Sequence, residues 1–134
     1  MRTQSIALLL SAALALPAAA QTGRPGLPNE PEIVEGLIAV GMAYEIDRQC
    51  DALDARKLTG ITTLLGLKSR ARGLGYSSAE VDDFVDNKAE KERLKVVARR
   101  RLAALGVTEN DPASWCAVGR AQIDGGTSVG RLLR

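Results

Sequence analysis

Two pairs of carboxylates, Asp82 with Asp83 and Asp51 with Asp54, are of the residue type that serves as acid and base in glycoside hydrolysis. Their setting argues against that chemistry. Adjacent residues on a helix point about 100° apart, and neither pair sits among aromatic side chains that would hold a sugar. Serine and threonine nucleophiles meet a similar obstacle, because the sequence contains no histidine to act as their base. The same absence removes the usual zinc or haem ligand and the common general base near neutral pH. A lysine on a solvated helix surface is not desolvated enough to take that role. No catalytic, cofactor-binding or metal-ligating residue is therefore assigned, and the chain reads as a non-enzyme without a cofactor.

Cys50 and Cys116 are too far apart for a CxxC redox or haem-attachment pair. Read with the export signal described below, they are expected to form one disulfide joining the end of the first helix to the fifth, the alternative being two buried free thiols. Gly119, one turn after Cys116, would let the two helices approach closely. Glu45 is the unusual carboxylate, because it falls inside the apolar arc of the first helix. A buried charge must find a partner. The reading is an ion pair with Arg48 or Arg101, with Glu45 lining a small ligand cleft as the functional alternative.

The basic residues Lys68, Arg70 and Arg72, with Arg99, Arg100 and Arg101, have the character of a phosphate-binding surface. They also gather at helix ends while Glu30, Glu32, Glu35, Glu80, Glu90 and Glu92 gather at helix starts, the arrangement that the helix macrodipole favours. Nucleic acid is not expected as a partner. An anionic surface contacted by Lys68, Arg70, Arg72, Arg99 and Arg100 stays open as an alternative.

The elements that carry these residues follow from periodicity and capping. Residues 1–20 read as a cleavable secretory signal: Arg2, an apolar run from Ile6 to Leu16 broken only by Ser11, then Pro17 and three alanines, with cleavage after Ala20. The run is shorter than the roughly 20 residues that a bilayer requires. The expected location is the periplasm. Cleavage removes Arg2 alone of 18 basic residues and none of the 16 acidic ones, leaving a net charge near +1 that selects no partner. Residues 21–29, with Gly23, Pro25, Gly26 and Pro28, read as a flexible tether. Residues 30–134 then form a single all-α domain, a small bundle of about five helices plus a short C-terminal turn.

The first helix is expected over Pro31 to Cys50 and the second over Asp54 to Leu74, presenting Leu58, Ile61, Leu64, Leu65, Leu67 and Leu74 and ending at Gly75. Ser77 and Glu80 form a capping box for a third that starts at Ser78. Asn87 with Glu90 opens a fourth, closed by Gly106, and Asp111-Pro112 opens a fifth that stops at Gly125 and Gly126. Thr127 or Ser128 can cap a last turn that tucks Leu132 and Leu133 inward.

Gly75-Tyr76-Ser77 with Glu80, Glu90-Lys91 with Leu94, Trp115-Cys116 with Gly119 and Ile123, and Ser128, Gly130, Leu132 and Leu133 together resemble a family of small exported alphaproteobacterial proteins known as a domain of unknown function. The resemblance spans nearly the whole mature chain and rests on caps, a cysteine and core positions. It implies export and an all-α fold and carries no activity. In size, disulfide count and helicity alone the chain is also similar to small periplasmic acid-stress chaperones. The leading expectation is a non-enzymatic periplasmic protein acting by protein–protein interaction with an envelope protein. A small-ligand or anionic-surface binder and a periplasmic stress chaperone-like protein are the alternatives.

Overall fold

Three of the five helices begin where a side chain accepts from a free first-turn amide. The computed structural model describes residues 23–134; the expected signal peptide and its cleavage site lie outside them. Five α-helices run α1 Pro31–Gln49, α2 Lys57–Gly73, α3 Ser78–Asp86, α4 Lys88–Ala104 and α5 Pro112–Asp124, with 3-10 turns at Leu27–Asn29 and Gly130–Leu132. Ser77 and Glu80 close a full capping box on α3, Asn87 accepts from the Glu90 amide on α4, and Asp111 accepts from the Ala113 amide on α5. Gly75 and Gly106 follow α2 and α4 at φ of 96° and 114°, where any side chain would be strained.

The buried apolar residues sort into two clusters around α1. The larger joins Ile38, Met42 and Ile46 of α1 to Ala98 and Leu102 of α4, Trp115 and Val118 of α5, and Val129, Leu132 and Leu133 of the C-terminal segment. The Cys50–Cys116 disulfide spans α1 and α5 with its Cα atoms 5.2 Å apart. A methyl group at Gly119 would lie 2.5 Å from Leu53 Cδ1 and 2.9 Å from Ile46 Cγ2, so only glycine admits those side chains against α5. α1 and α4 cross antiparallel with Gly41 facing Ala98. The smaller cluster gathers Leu27, Ile33, Ala71, Tyr76, Val81 and Phe84 where α1, α2 and α3 meet.

Two boundaries depart from the sequence reading. α2 begins at Lys57 and not at Asp54, because the Asp54 amide donates to the Arg134 carbonyl at 2.9 Å, the Arg134 amide returns a bond to Asp54, and the Arg56 amide donates to Leu132 at 2.8 Å. That extended pairing competes with helix and wins. The expected tether over 21–29 is docked from Arg24 onward: Leu27 is buried, the Tyr76 hydroxyl donates to the Pro25 carbonyl, and the Arg24 guanidinium stacks 4.4 Å over the Tyr76 ring. Turn-forming residues there shape the chain to fit and do not free it. Among the described residues no helix is long and apolar enough to cross a membrane.

Candidate functional site

Most of the basic side chains singled out in the sequence are held by carboxylates. Lys68 reaches Asp82 at 2.9 Å, Arg70 reaches Glu32 at 2.8 Å, and Arg101 donates to both oxygens of Glu35, with Nη2 to Oε1 at 2.7 Å. Arg72 and Arg100 are exposed and make no ion pair among the described residues. Carboxylates therefore interrupt the positive charge of both clusters. Among the described residues no three cysteine or carboxylate side chains stand together in a way that could hold a metal ion.

Glu45 is buried, 3% exposed, and it is paired, but with neither expected arginine. Arg99 Nε donates to Glu45 Oε2 at 2.9 Å. Arg101 is two residues further along α4, about 200° around the helix, and so falls on the other side of the α1–α4 crossing, where it meets Glu35. Arg48 instead lies over the Tyr44 ring at 5.7 Å. The two pairs should differ in weight. Taking Arg99 away leaves a carboxylate enclosed by protein, a change that costs about 3–5 kcal/mol in a fully buried pair. The half-exposed Arg99 tempers this, and Arg99→Met should destabilise by about 2 kcal/mol. Arg101→Met, in a pair exposed on both sides, should cost less than about 1 kcal/mol. Urea denaturation of the two variants checks the order, and equal losses would contradict it.

The charge state of the surface carboxylates gives a pH signature. The hydrogen bond from Arg101 holds the Glu35 carboxyl below its ordinary 4.5, and the Ser77 amide does the same for Glu80. Both groups bind protons less readily folded than unfolded, so the stability they lend is complete above about pH 4.5 and is lost as pH falls through their folded values. With no histidine in the chain, the denaturation midpoint should hold steady from pH 7 to 5 and drop by pH 3. A drop already complete at pH 5 would contradict this.

The feature that the sequence reading missed lies on α2. Leu58 is 81% exposed, Ile61 54% and Leu65 60%, while Ala71 is the one buried residue of the helix. α2 carries two apolar stripes: Leu64, Leu67, Ala71 and Leu74 turn toward α1 and α3, and Leu58, Ile61 and Leu65 turn outward. One core can bury only one of them. The signal was present in the ten residues Leu58 to Leu67, which contain no charge on either face. Tyr44 of α1 is 54% exposed beside them.

Between α1 and α2, Val40, Tyr44, Ile61 and Leu64 frame an open apolar trough. One part, about 400 Å³, runs from Ala55, Arg56 and Lys57 along Ile61 and Val40. The other, about 620 Å³, continues past Tyr44 and Leu64 to Phe84, Val85 and Leu94. Tyr44, Val40 and Leu64 belong to both parts, so the surface is continuous. Glu45, neutralised by Arg99, lies in its wall, which is as near as the structure comes to the expected cleft.

A family model described as a family of unknown function, DUF5333, matches residues 25–134. The chain belongs to the DUF5333 family. The match begins within the segment that was expected to be a tether, at Pro25, whose carbonyl accepts from Tyr76. The DUF5333 match thus includes the docked strap as well as the five helices. No curated protein and no solved structure matches the chain. The trough is the candidate site of this DUF5333 member.

Proposed function

We propose that this DUF5333 protein is a non-enzymatic, exported, periplasmic protein that acts by holding another protein on its α1–α2 face. The observation that carries this reading is the outward stripe of Leu58, Ile61 and Leu65 beside Tyr44. A contiguous apolar surface of this kind on a water-soluble domain marks an interaction site. The signal-like residues 1–20 support export, and an oxidised cysteine pair suits an oxidising compartment. The anionic-surface alternative loses support, since Lys68, Arg70 and Arg99 are each engaged by a carboxylate.

The test is cross-linking in the cell envelope with a tagged chain carrying its own residues 1–20, followed by recovery of the adducts. A defined partner recovered with the natural sequence and lost with Ile61→Ser and Leu65→Ser supports the reading. The same adducts from all three proteins would overturn it. Intact mass of the recovered chain should correspond to a start at Gln21, and a mass retaining residues 1–20 would overturn the cleavage.

A further inference from the structure

The charges around the trough say more about what fits it. α2 has no acidic residue from Lys57 to Gly73. Along the trough, Arg48, Arg56, Lys57, Lys91 and Lys95 line the rim, and none makes an ion pair among the described residues. Of the acidic residues on the same rim, Glu45 is held by Arg99 and Glu90 by Arg93, while Asp47, which accepts the Ala55 amide at 2.7 Å, and Glu92 keep their charge. Five cations thus face two unpaired carboxylates, and the apolar floor lies between ends that are each net positive.

Resting on the interaction reading above, we infer that the trough receives an amphipathic helix of another protein, its apolar face against Ile61, Leu64 and Tyr44 and acidic residues at its flanks. A helix laid in a groove anchors side chains at successive turns, and the trough offers two connected hollows that share Val40, Tyr44 and Leu64. A second copy of this chain is the wrong occupant, because trough against trough would set like cations across the interface. An anionic lipid surface would meet the outward Leu58 and Leu65 and leave the floor at Val40 and Leu94 unfilled. Acidic flanks would also speed encounter, since opposite charge steers association and the effect weakens with salt.

The protein recovered from the envelope is titrated against a labelled helical peptide with a leucine face and glutamate flanks, against the same peptide with lysine flanks, and against phosphatidylglycerol vesicles. The glutamate peptide should bind at least tenfold more tightly than the lysine peptide, and more weakly as salt rises. Ile61→Ser should abolish binding, and Arg56→Glu with Lys91→Glu should reverse the preference between peptides. Ile61 and both cations are exposed, so these variants should fold normally, which circular dichroism checks. Equal affinity for the two peptides, no binding of either, vesicle binding in their place, or an Ile61-dependent dimer would each overturn the inference. If the peptides fail while envelope cross-linking still depends on Ile61, only the acidic chemistry falls. If that cross-linking fails too, the interaction reading falls with it.

Discussion

Reduction of the Cys50–Cys116 bond should lower the melting temperature by about 15–20 °C. The bond closes a loop of 66 residues, and a constraint of that length removes enough freedom from the unfolded chain to stabilise the fold by about 4 kcal/mol in the chain-entropy account. For a domain near 110 residues, each kcal/mol moves the midpoint by roughly 4–5 °C. Cys50 is buried at 1% exposure, so reductant must reach it through opening of the fold, and the protein should be unfolded and refolded in reductant before the scan. The consequence extends beyond one bond. Cys50 ends α1 and Cys116 sits in α5, so the disulfide fixes the two elements that enclose Ile46 and Leu53 against Gly119. A reduced protein melting within about 5 °C of the oxidised one would mean that core burial already holds α5 in place.

The disulfide was legible because two cysteines in a chain whose first 20 residues read as an export signal are expected to pair. Helix starts were legible for a local reason. Ser77 with Glu80, Asn87 with Glu90 and Asp111 before Pro112 act within three residues of themselves, so sequence spacing and spatial spacing coincide. The glycine stops at Gly75 and Gly106 are equally local.

What escaped the sequence depends on what lies opposite. Periodicity identified the leucines of α2 as apolar, but the number of neighbours available to bury them is a property of the whole fold. α1 is already surrounded by α4, α5 and the C-terminal turn, which leaves α2 a single contact face and sends Leu58, Ile61 and Leu65 outward. The partner of Glu45 escaped for a similar reason. Arg99 and Arg101 are equivalent as residues in a charge run, and only the crossing of α1 over α4 at Gly41 and Ala98 decides which one faces it. The start of α2 was set from about 80 residues away, by the pairing of Asp54 and Arg56 with Arg134 and Leu132.

That C-terminal pairing makes Gly130 the position where a single methyl group should do most harm. Gly130 opens the last turn and is buried against α5. A Cβ there would overlap the Gln122 carbonyl and lie 2.7 Å from the Ile123 nitrogen, which are backbone atoms of a helix and cannot step aside. The Gly130 amide is meanwhile tied to Thr127 Oγ1 at 3.0 Å. Relief requires the turn to move, and the turn carries Leu132 and Leu133, buried at 5% and 3%, together with the bonds to Asp54 and Arg56. Overpacking of this kind costs about 1–3 kcal/mol when side chains can adjust; with backbone in the way, Gly130→Ala should reach the upper end, a fall of about 12–15 °C in the midpoint. Gly66→Ala is the matched control. It makes the same chemical change in the middle of α2 with nothing within 4 Å, and replacing a helical glycine by alanine should raise stability by about 0.5–1 kcal/mol. Thermal melts of the two variants should therefore move in opposite directions. A Gly130→Ala protein melting within about 2 °C of the natural one would show that the last turn is not seated on α5, and the register of the Asp54–Arg134 pairing would fall with it.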